Sequence, residues 1–322
     1  MSNDLRPGVP QNDDKRCLVL GGCGFLGSVV TRRLVRNGWT VRVFDKEGSD
    51  TARLHSVLSR IELVRGDFMN LGDLRGAMED MPSVLHFIGT TIPQSSMNDI
   101  KFDVETNVLP TVRLLELMLN AGGSRLLFAS SGGTVYGKTD QRVPIPESHP
   151  TNPIAAYGIS KLMIEKFIHL FSVNYGLPSV ILRFANPYGE SQSLTRPQGA
   201  VGAFVRSVLQ GTPIRIWGDG SVVRDYVYEE DLAESVESVL LNRNVAGVYN
   251  VGTGKGTSLT ELANTVGRIF AREPKIVFEP GRSFDVPYNV LDVSKIGKAT
   301  GWKAASTLED GLKKMKNSVS SV

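Results

Sequence analysis

Two groups of side chains in this 322-residue chain have types and spacings suited to chemistry. Tyr157 and Lys161 stand four residues apart in the run Tyr157-Gly158-Ile159-Ser160-Lys161. On a helix that spacing places both on one face. A phenol titrates near ~10 and is a poor base at neutral pH. A neighbouring ammonium favours the phenolate, and lowering the phenol by ~3 units corresponds to ~4 kcal/mol. The residues therefore predict a proton-transfer pair. The spacing alone is common, and its meaning rests on what lies upstream.

Upstream lies the second group, Gly21-Gly22-Cys23-Gly24-Phe25-Leu26-Gly27, between an apolar run and a helical pattern. Gly21, Gly24 and Gly27 have the spacing of a turn that lets backbone N–H groups approach a pyrophosphate and packs a helix closely on a strand. The helix N-terminus adds a partial positive charge there. Asp45 closes the next predicted strand, where it can accept hydrogen bonds from both ribose hydroxyls and repel a 2′-phosphate. Lys46 follows, and no Arg adjoins Asp45 in the sequence. The prediction is NAD rather than NADP. An oxidised nicotinamide would favour the Tyr157 phenolate further. Asp67 reads either as an acceptor for the adenine amino group or as an acid beside a helix start capped by Asn70.

These groups need a scaffold. Apolar runs at 17–20, 41–44, 61–64, 84–88, 125–129 and 180–184 read as buried strands. Helical patterns at 25–37, 51–58, 71–81, 102–121 and 156–175 alternate with them. That alternation predicts a doubly wound (Rossmann) α/β fold with a mostly parallel sheet. Past residue 186 the alternation breaks down, and helices at 201–209, 232–240 and 259–270 join through irregular loops rich in Gly and Pro. The expected organisation is a disordered tail at 1–15 and an NAD-binding domain at 16–185. A smaller, intertwined substrate-binding region spans 186–322, with about 222–252 returning to the first domain.

Composition narrows the function classes. Hydrophobic residues make up 41% and charged residues 21%, and the net charge of +3 is spread along the chain, so no basic stripe suits nucleic acid. No run approaches the ~18 apolar residues of a membrane span, and the polar N-terminus does not read as a signal peptide. A cytoplasmic protein is expected. Cys17 and Cys23 read as buried, reduced thiols. His55, His86, His149 and His169 form no metal-ligand pattern, so no metal is expected, and His86 reads as a strand residue near the cofactor rather than a base. Ser130 and Ser131 lack a nearby His–Asp arrangement, which removes support for a hydrolase.

The sequence resembles the extended short-chain dehydrogenase/reductase family, and within it the UDP-galactose 4-epimerase-like group. The likeness is carried by GGCGFLG at 21–27, VLHFIG at 84–89, SSGGTVYG at 130–137, YGISK at 157–161, LRFANPYG at 182–189 and IWGDGSVVRDYVYEEDLA at 216–233. The resemblance implies an NAD site made by Gly21, Gly24, Phe25, Leu26, Gly27, Asp45, Lys46, Asp67, Phe68, Phe87, Ile88, Gly89, Asn107, Ser130, Tyr157, Lys161 and Phe184. It implies that Tyr157 takes the proton of a sugar 4-hydroxyl while C4 gives hydride to NAD, the 4-keto sugar turns over, and hydride returns to its other face. Lys161 would bridge the nicotinamide ribose and tune Tyr157.

The epimerases carry a Ser or Thr four residues before the Tyr of VYG, where this chain has Gly132. Ser131 or Thr134 must serve instead, with Ser131 favoured because the glycine pair after it can re-aim it; a weakened, dinucleotide-binding protein is the alternative. Similar dehydratases have an Asp-Glu pair before VYG, and the decarboxylases a Glu, where this chain has Gly133-Thr134. Elimination is therefore not expected, and epimerisation is, with net nucleotide-sugar oxidoreduction as the other enzymatic reading. For a UDP-sugar substrate the resemblance points to Asn186, Val201, Trp217, Arg224, Arg282, Asp285 and Asn289. Arg224 otherwise reads as a surface ion pair with Asp225, and Trp217 as core. Asn289 aligns with a Tyr that narrows the pocket of glucose/galactose-restricted epimerases, so an N-acetyl group is expected to fit. The helices at 102–121 and 156–175 resemble those of the family's dimer interface, which predicts a homodimer.

Overall fold

The computed structural model describes residues 14–122, 124–139, 142–194, 199–282 and 285–320. Of the expected tail, residues 1–13 lie outside the described residues. The strands are β1 (Arg16–Leu20), β2 (Thr40–Asp45), β3 (Glu62–Arg65), β4 (Ser83–His86), β5 (Arg125–Ser131), β6 (Ser179–Phe184) and β7 (Asn186–Tyr188). After these come β8 (Ile214–Trp217), β9 (Val223–Tyr228), β10 (Gly247–Val251), β11 (Gly256–Ser258), β12 (Ile276–Glu279) and β13 (Tyr288–Asn289).

Seven of them form one sheet in the order β3-β2-β1-β4-β5-β6-β10, every neighbouring pair parallel. The winding direction reverses between β1 and β4, and ligands of such sheets bind at the carboxyl ends of the strands beside that reversal. The central strands β1, β4, β5 and β6 are mostly apolar and buried because both faces are covered, whereas the edge strand β3 is partly exposed. Cys17 and Val19 of β1 face one core, with Val30 and Leu34 of helix Phe25–Arg36 and Val236 of helix Glu229–Leu241. Leu18 and Leu20 face the other, under helices Leu71–Met78, Leu109–Asn120 and Ala156–Tyr175. Both cysteines are buried and free.

The C-terminal region interlocks with this sheet. The chain leaves β6 for β7, builds β8 and β9, then returns to place β10 at the sheet edge. Strand β9 pairs with β7, β11 and β13, and β8 pairs with β12. A third core, including Tyr188, Phe204, Ile214, Ile216, Leu262 and Val266, lies beneath these strands.

Local differences from the sequence expectations fall at two strand ends and in two helices. Strand β4 stops at His86, leaving Phe87 and Ile88 beyond it, and β5 runs on to Ser131. The helix expected at 51–58 is a 3-10 helix, Ala52–Arg60. The long helix expected at 102–121 begins at Ile100 and widens into a π turn over Val104–Val108 before Leu109–Asn120. Such π turns concentrate at functional sites, and this one holds Asn107.

Candidate active site

The glycine loop is built by steric need. Gly21 has φ +81°, and a Cβ there would lie 3.0 Å from the Ile88 nitrogen. A Cβ on Gly27 would lie 2.2 Å from the Gly21 carbonyl oxygen. Gly24 is the N-cap of helix Phe25–Arg36 and offers no side-chain cap, which leaves the unpaired N–H donors of the first turn for an anion. Phe25 and Leu26 follow, both partly buried.

Asp45 sits beside this loop. Its Oδ2 accepts from the Cys23 N–H at 2.8 Å, and its Oδ1 accepts from the Lys46 N–H at 2.9 Å and the Ser49 hydroxyl at 2.6 Å. The carboxylate is thereby held at the end of β2, beside the glycine loop. The Lys46 side chain is exposed. Sequence adjacency hid one neighbour: parallel register puts Arg65 directly opposite Asp45. Its guanidinium donates to the Lys46 and Ser49 carbonyls, both at 3.0 Å, and shapes the loop. Asp67 is exposed and accepts from the Met69 N–H at 2.9 Å, while Asn70 caps helix Leu71–Met78. Phe68 is buried against His86, with ring centroids 5.0 Å apart, so its side chain serves the core. These residues fit the adenosine and pyrophosphate of NAD: a glycine cradle, an uncapped helix N-terminus and a fixed ribose acceptor.

At the ends of the central strands, Phe87 and Phe184 stack with centroids 6.4 Å apart and planes within 8°. Ile88 is partly buried and Gly89 exposed. Asn107 anchors the segment after β4: its Nδ2 donates to Thr90 Oγ1 at 2.8 Å, and its Oδ1 accepts from the Thr90 N–H at 3.0 Å. His86 is 2% exposed; burial, joined by the charge of Lys161, pushes it down to about 3. It is a neutral strand residue there, accepting from the Ile88 N–H at 3.3 Å and contacting Thr111 Oγ1 at 2.9 Å. Because Thr111 donates its own proton to the Asn107 carbonyl, His86 Nε2 is the donor in that contact.

Tyr157 and Lys161 project from the first turns of helix Ala156–Tyr175. The Tyr157 N–H donates to Ser96 Oγ at 3.0 Å, which docks the helix start. Lys161 Nζ donates to the Ala129 carbonyl at 2.9 Å and lies 5.8 Å from the Tyr157 ring centroid. The lowered phenol expected from the sequence is not what the chain by itself provides. Burial pushes Tyr157 up to about 12, and the charge of Asp103 acts in the same direction. Burial pulls Lys161 down to about 8 against the opposing charges of Asp103 and Glu165. Desolvation therefore disfavours the charged form of each group, the phenolate of Tyr157 and the ammonium of Lys161.

Gly132, the first of the glycine pair, is tightly seated. A Cβ on Gly132 would lie 2.6 Å from Leu291 Cδ1 and 3.1 Å from the Arg183 carbonyl oxygen. Asn289, 1% exposed, donates from Nδ2 to the Gly132 carbonyl at 3.0 Å. It lies beneath the loop, so the geometry does not bear out an open pocket made by a smaller side chain. Ser131 is partly exposed at the end of β5, and a Cβ on Gly133 would lie 3.9 Å from its Oγ and 3.7 Å from Asn186 Oδ1. Thr134 Oγ1 points back to the Ser131 carbonyl at 3.5 Å, and the Thr134 carbonyl abuts Gly158, where a Cβ would come within 2.9 Å. Ser130, assigned to the cofactor by resemblance, instead donates to Glu165 at 2.5 Å in a buried network. There Arg183 bonds Glu165 at 2.6 Å and the Tyr136 hydroxyl at 2.9 Å, and Tyr136 donates to Asn250 at 2.7 Å.

On the C-terminal side, Trp217 is 40% exposed rather than core, and the Arg282 guanidinium lies 4.2 Å from its ring centroid. Arg282 also bonds Asp285 at 3.1 Å, so these three form one cluster. Arg224 donates to the Val223 and Val286 carbonyls at 2.9 and 2.6 Å, and Asp225 turns away from it, accepting from Thr253 and Gly254. The surface ion pair is therefore not formed. Asn186 Nδ2 donates to the Asp225 carbonyl at 3.0 Å. Val201 is 2% exposed and packs in the third core. Sequence reasoning missed Ser96, Thr91, Asp103 and the Glu165–Arg183 pair.

The fold is shared with known proteins. Residues 17–252 match the model of the NAD dependent epimerase/dehydratase family. A putative UDP-glucose 4-epimerase of Methanocaldococcus jannaschii is 32% identical over 301 residues, covering 93% of this chain and 97% of that protein. The UDP-glucose 4-epimerase of Thermotoga maritima, solved with UDP-glucose, superposes with TM-score 0.89 at 30% identity, covering 95% and 99% of the two chains. That of Thermus thermophilus, solved with NAD, gives 0.86 at 30% identity over 94% and 98%. A dTDP-glucose 4,6-dehydratase of Streptomyces venezuelae gives 0.88 at 26% identity over 95% and 97%. The glycine cradle, the fixed Asp45 and the Tyr157–Lys161 helix thus belong to a chain of the NAD dependent epimerase/dehydratase family, a UDP-galactose 4-epimerase-like extended short-chain dehydrogenase/reductase that uses NAD.

Proposed function

We propose that this enzyme inverts C4 of a UDP-hexose through a transient 4-keto sugar. The observation that carries the reading is the surroundings of the Tyr157–Lys161 helix: the loop packed against it at Gly158, Ser131–Thr134, offers hydroxyls and glycines and no carboxylate. Elimination of water needs a positioned acid and base; inversion needs one proton acceptor and a rigid site. NAD, when bound, supplies the oxidation and reduction at C4. The chain supplies placement. Tyr157 accepts and returns the 4-hydroxyl proton, Lys161 sits beside its ring, and Ser131 holds the sugar oxygen in place of the hydroxyl that Gly132 cannot carry.

Arg224, Arg282, Trp217, Asp285 and Asn186 are proposed to hold the nucleotide diphosphate. Guanidinium groups pair with phosphate oxygens, and an exposed indole can stack on a base. The burial of Asn289 gives no reason to choose between N-acetylated and plain hexoses, so the reading is kept to UDP-hexoses as a class. A homodimer is proposed on the exposed apolar residues of the two long helical segments, among them Phe102, Leu109, Leu170 and Val173. Such faces favour burial against a second copy. Among the described residues no helix is long and apolar enough to cross a membrane.

The test is incubation with UDP-glucose, UDP-N-acetylglucosamine and UDP-glucuronate in turn, followed by proton NMR. Interconversion of gluco and galacto signals with NAD remaining bound is the expected result. Loss of water, loss of carbon dioxide, or net consumption of NAD would refute the epimerase reading.

A further inference from the structure

Asp103 is 1% exposed and lies where three elements meet. Its Oδ2 accepts from Ser160 Oγ at 2.5 Å, one turn past Tyr157 on the same helix. Its Oδ1 accepts from Thr91 Oγ1, in the segment after β4, and from Asn107 Nδ2 at 3.1 Å in the π turn. Asn107 Nδ2 also bonds the Asp103 carbonyl at 3.0 Å. All three side-chain partners of the carboxylate are neutral donors. Glu165, by contrast, has its charge met by Arg183 at 2.6 Å. Among the described residues Asp103 takes part in no ion pair, so its field is not cancelled locally.

We propose that Asp103 is a positioning residue for the reaction: one carboxylate locks the Tyr157–Lys161 helix, through Ser160, to the Thr91 and Asn107 segment that flanks the cofactor site. The proposal rests on the reading of Tyr157 as the proton acceptor. Its mechanical part follows from reach. Ser160 lies three residues from Tyr157 and adjoins Lys161, so fixing its hydroxyl fixes the rotation of the turn that aims both. Its electrostatic part follows from burial, which leaves charges poorly screened.

The charged and titratable groups around the pair are few. Glu165 on the same helix is paired with Arg183 of β6 yet still favours the Lys161 ammonium, and His86 of β4 is neutral. Tyr136, from the loop after β5, hydrogen-bonds to Arg183 and Asn250. Asp103 alone of these brings an unpaired charge from another helix. That charge disfavours the Tyr157 phenolate and favours the Lys161 ammonium. Removing it lets both groups lose their protons at lower pH. Asp103→Asn is close in shape, and Ser160 can turn its hydroxyl to accept from the new amide.

The test uses the NAD-loaded enzyme with three variants, Asp103→Asn, Asp103→Glu and Ser160→Ala. Phenolate absorbance is titrated against Tyr157→Phe as the blank, and the pH profile of sugar inversion is measured alongside. Asp103→Asn should move the Tyr157 transition, and both limbs of the kcat profile, to lower pH by on the order of 1 unit. Asp103→Glu should keep the transition near that of the parent. Ser160→Ala, which keeps the charge and cuts the tie, should lower kcat on the order of tenfold with the limbs in place, through misplacement of the pair. An unmoved Tyr157 transition in Asp103→Asn overturns the electrostatic part, and parental kcat in Ser160→Ala overturns the tie. Should Asp103→Asn not fold, Ser160→Ala decides the proposal. The absorbance titration needs no sugar: a shifted transition without inversion of any UDP-hexose rejects the epimerase reading and leaves the placement of Asp103 standing.

Discussion

Restoring a hydroxyl at position 132 is the substitution that the resemblance invites, and the structure predicts that it will cost stability. A Ser side chain there would start from a Cβ 2.6 Å from Leu291 Cδ1 and 3.1 Å from the Arg183 carbonyl. Leu291 is fully buried in the first core, and Asn289 holds the Gly132 carbonyl from below, so neither neighbour has free space to yield. Overpacking of this kind costs about 1–3 kcal/mol. Leu291→Ala alone creates a cavity and costs about 2–5 kcal/mol. Joined, the two should partly cancel, because the new side chain enters the space that the leucine vacates, giving a coupling of about 1–2 kcal/mol in the stabilising direction. Urea denaturation of the parent, Gly132→Ser, Leu291→Ala and the double variant measures the cycle. Purely additive losses, or a Gly132→Ser protein as stable as its parent, would refute the packing argument. The kinetic corollary is that Gly132→Ser lowers inversion activity even though it supplies the family's hydroxyl, since the loop bearing Ser131 must shift to admit it.

Gly27→Ala drives a methyl into the Gly21 carbonyl, 2.2 Å away on backbone that cannot rotate aside; the protein should lose bound NAD on purification, read from the absorbance ratio at 260 and 280 nm. Glu165→Ala strands the buried Arg183 guanidinium, and loss of one partner of a buried pair costs about 3–5 kcal/mol, measurable in urea. Glu229 gives a pH signature. Burial pushes its carboxyl from 4.5 up to about 7, against the hydrogen bonds from Ser191. Between those values the native chain binds more protons than the unfolded chain, so this group's contribution to stability is complete below 4.5 and fades as pH rises through about 7. Parent stability relative to Glu229→Gln should therefore fall across that window in urea midpoints, and a constant difference would refute the assignment.

Some features were legible in the sequence because they depend on neighbours in the sequence. The glycine loop is of this kind: Gly21 needs a positive φ and Gly27 leaves no room for a methyl, and both needs follow from one tight strand–helix turn. Tyr157 and Lys161 are another, since a four-residue offset fixes a shared helix face. The parallel order of β1 to β6 followed from alternating periodicities. Even so, helix 102–121 hid its π turn, because apolar spacing does not register one inserted residue.

Features that depend on distant contacts were not legible, and they are the ones that set the chemistry. Arg65 stands beside Asp45 through parallel register, 20 positions on, and Ser160 meets Asp103 across 57 positions. Burial is likewise a property of the whole fold. A lysine one turn from a tyrosine suggests a lowered phenol, yet desolvation raises Tyr157 and draws Lys161 down to about 8. The same enclosure that opposes the phenolate in the chain strengthens any positive charge placed against it, because interactions grow as the surroundings lose water. A tyrosine held this way keeps its proton at neutral pH even with Lys161 alongside. With Tyr157 as the proposed acceptor, the raised phenol would need a further positive charge against it before proton transfer, a charge that an oxidised nicotinamide would supply.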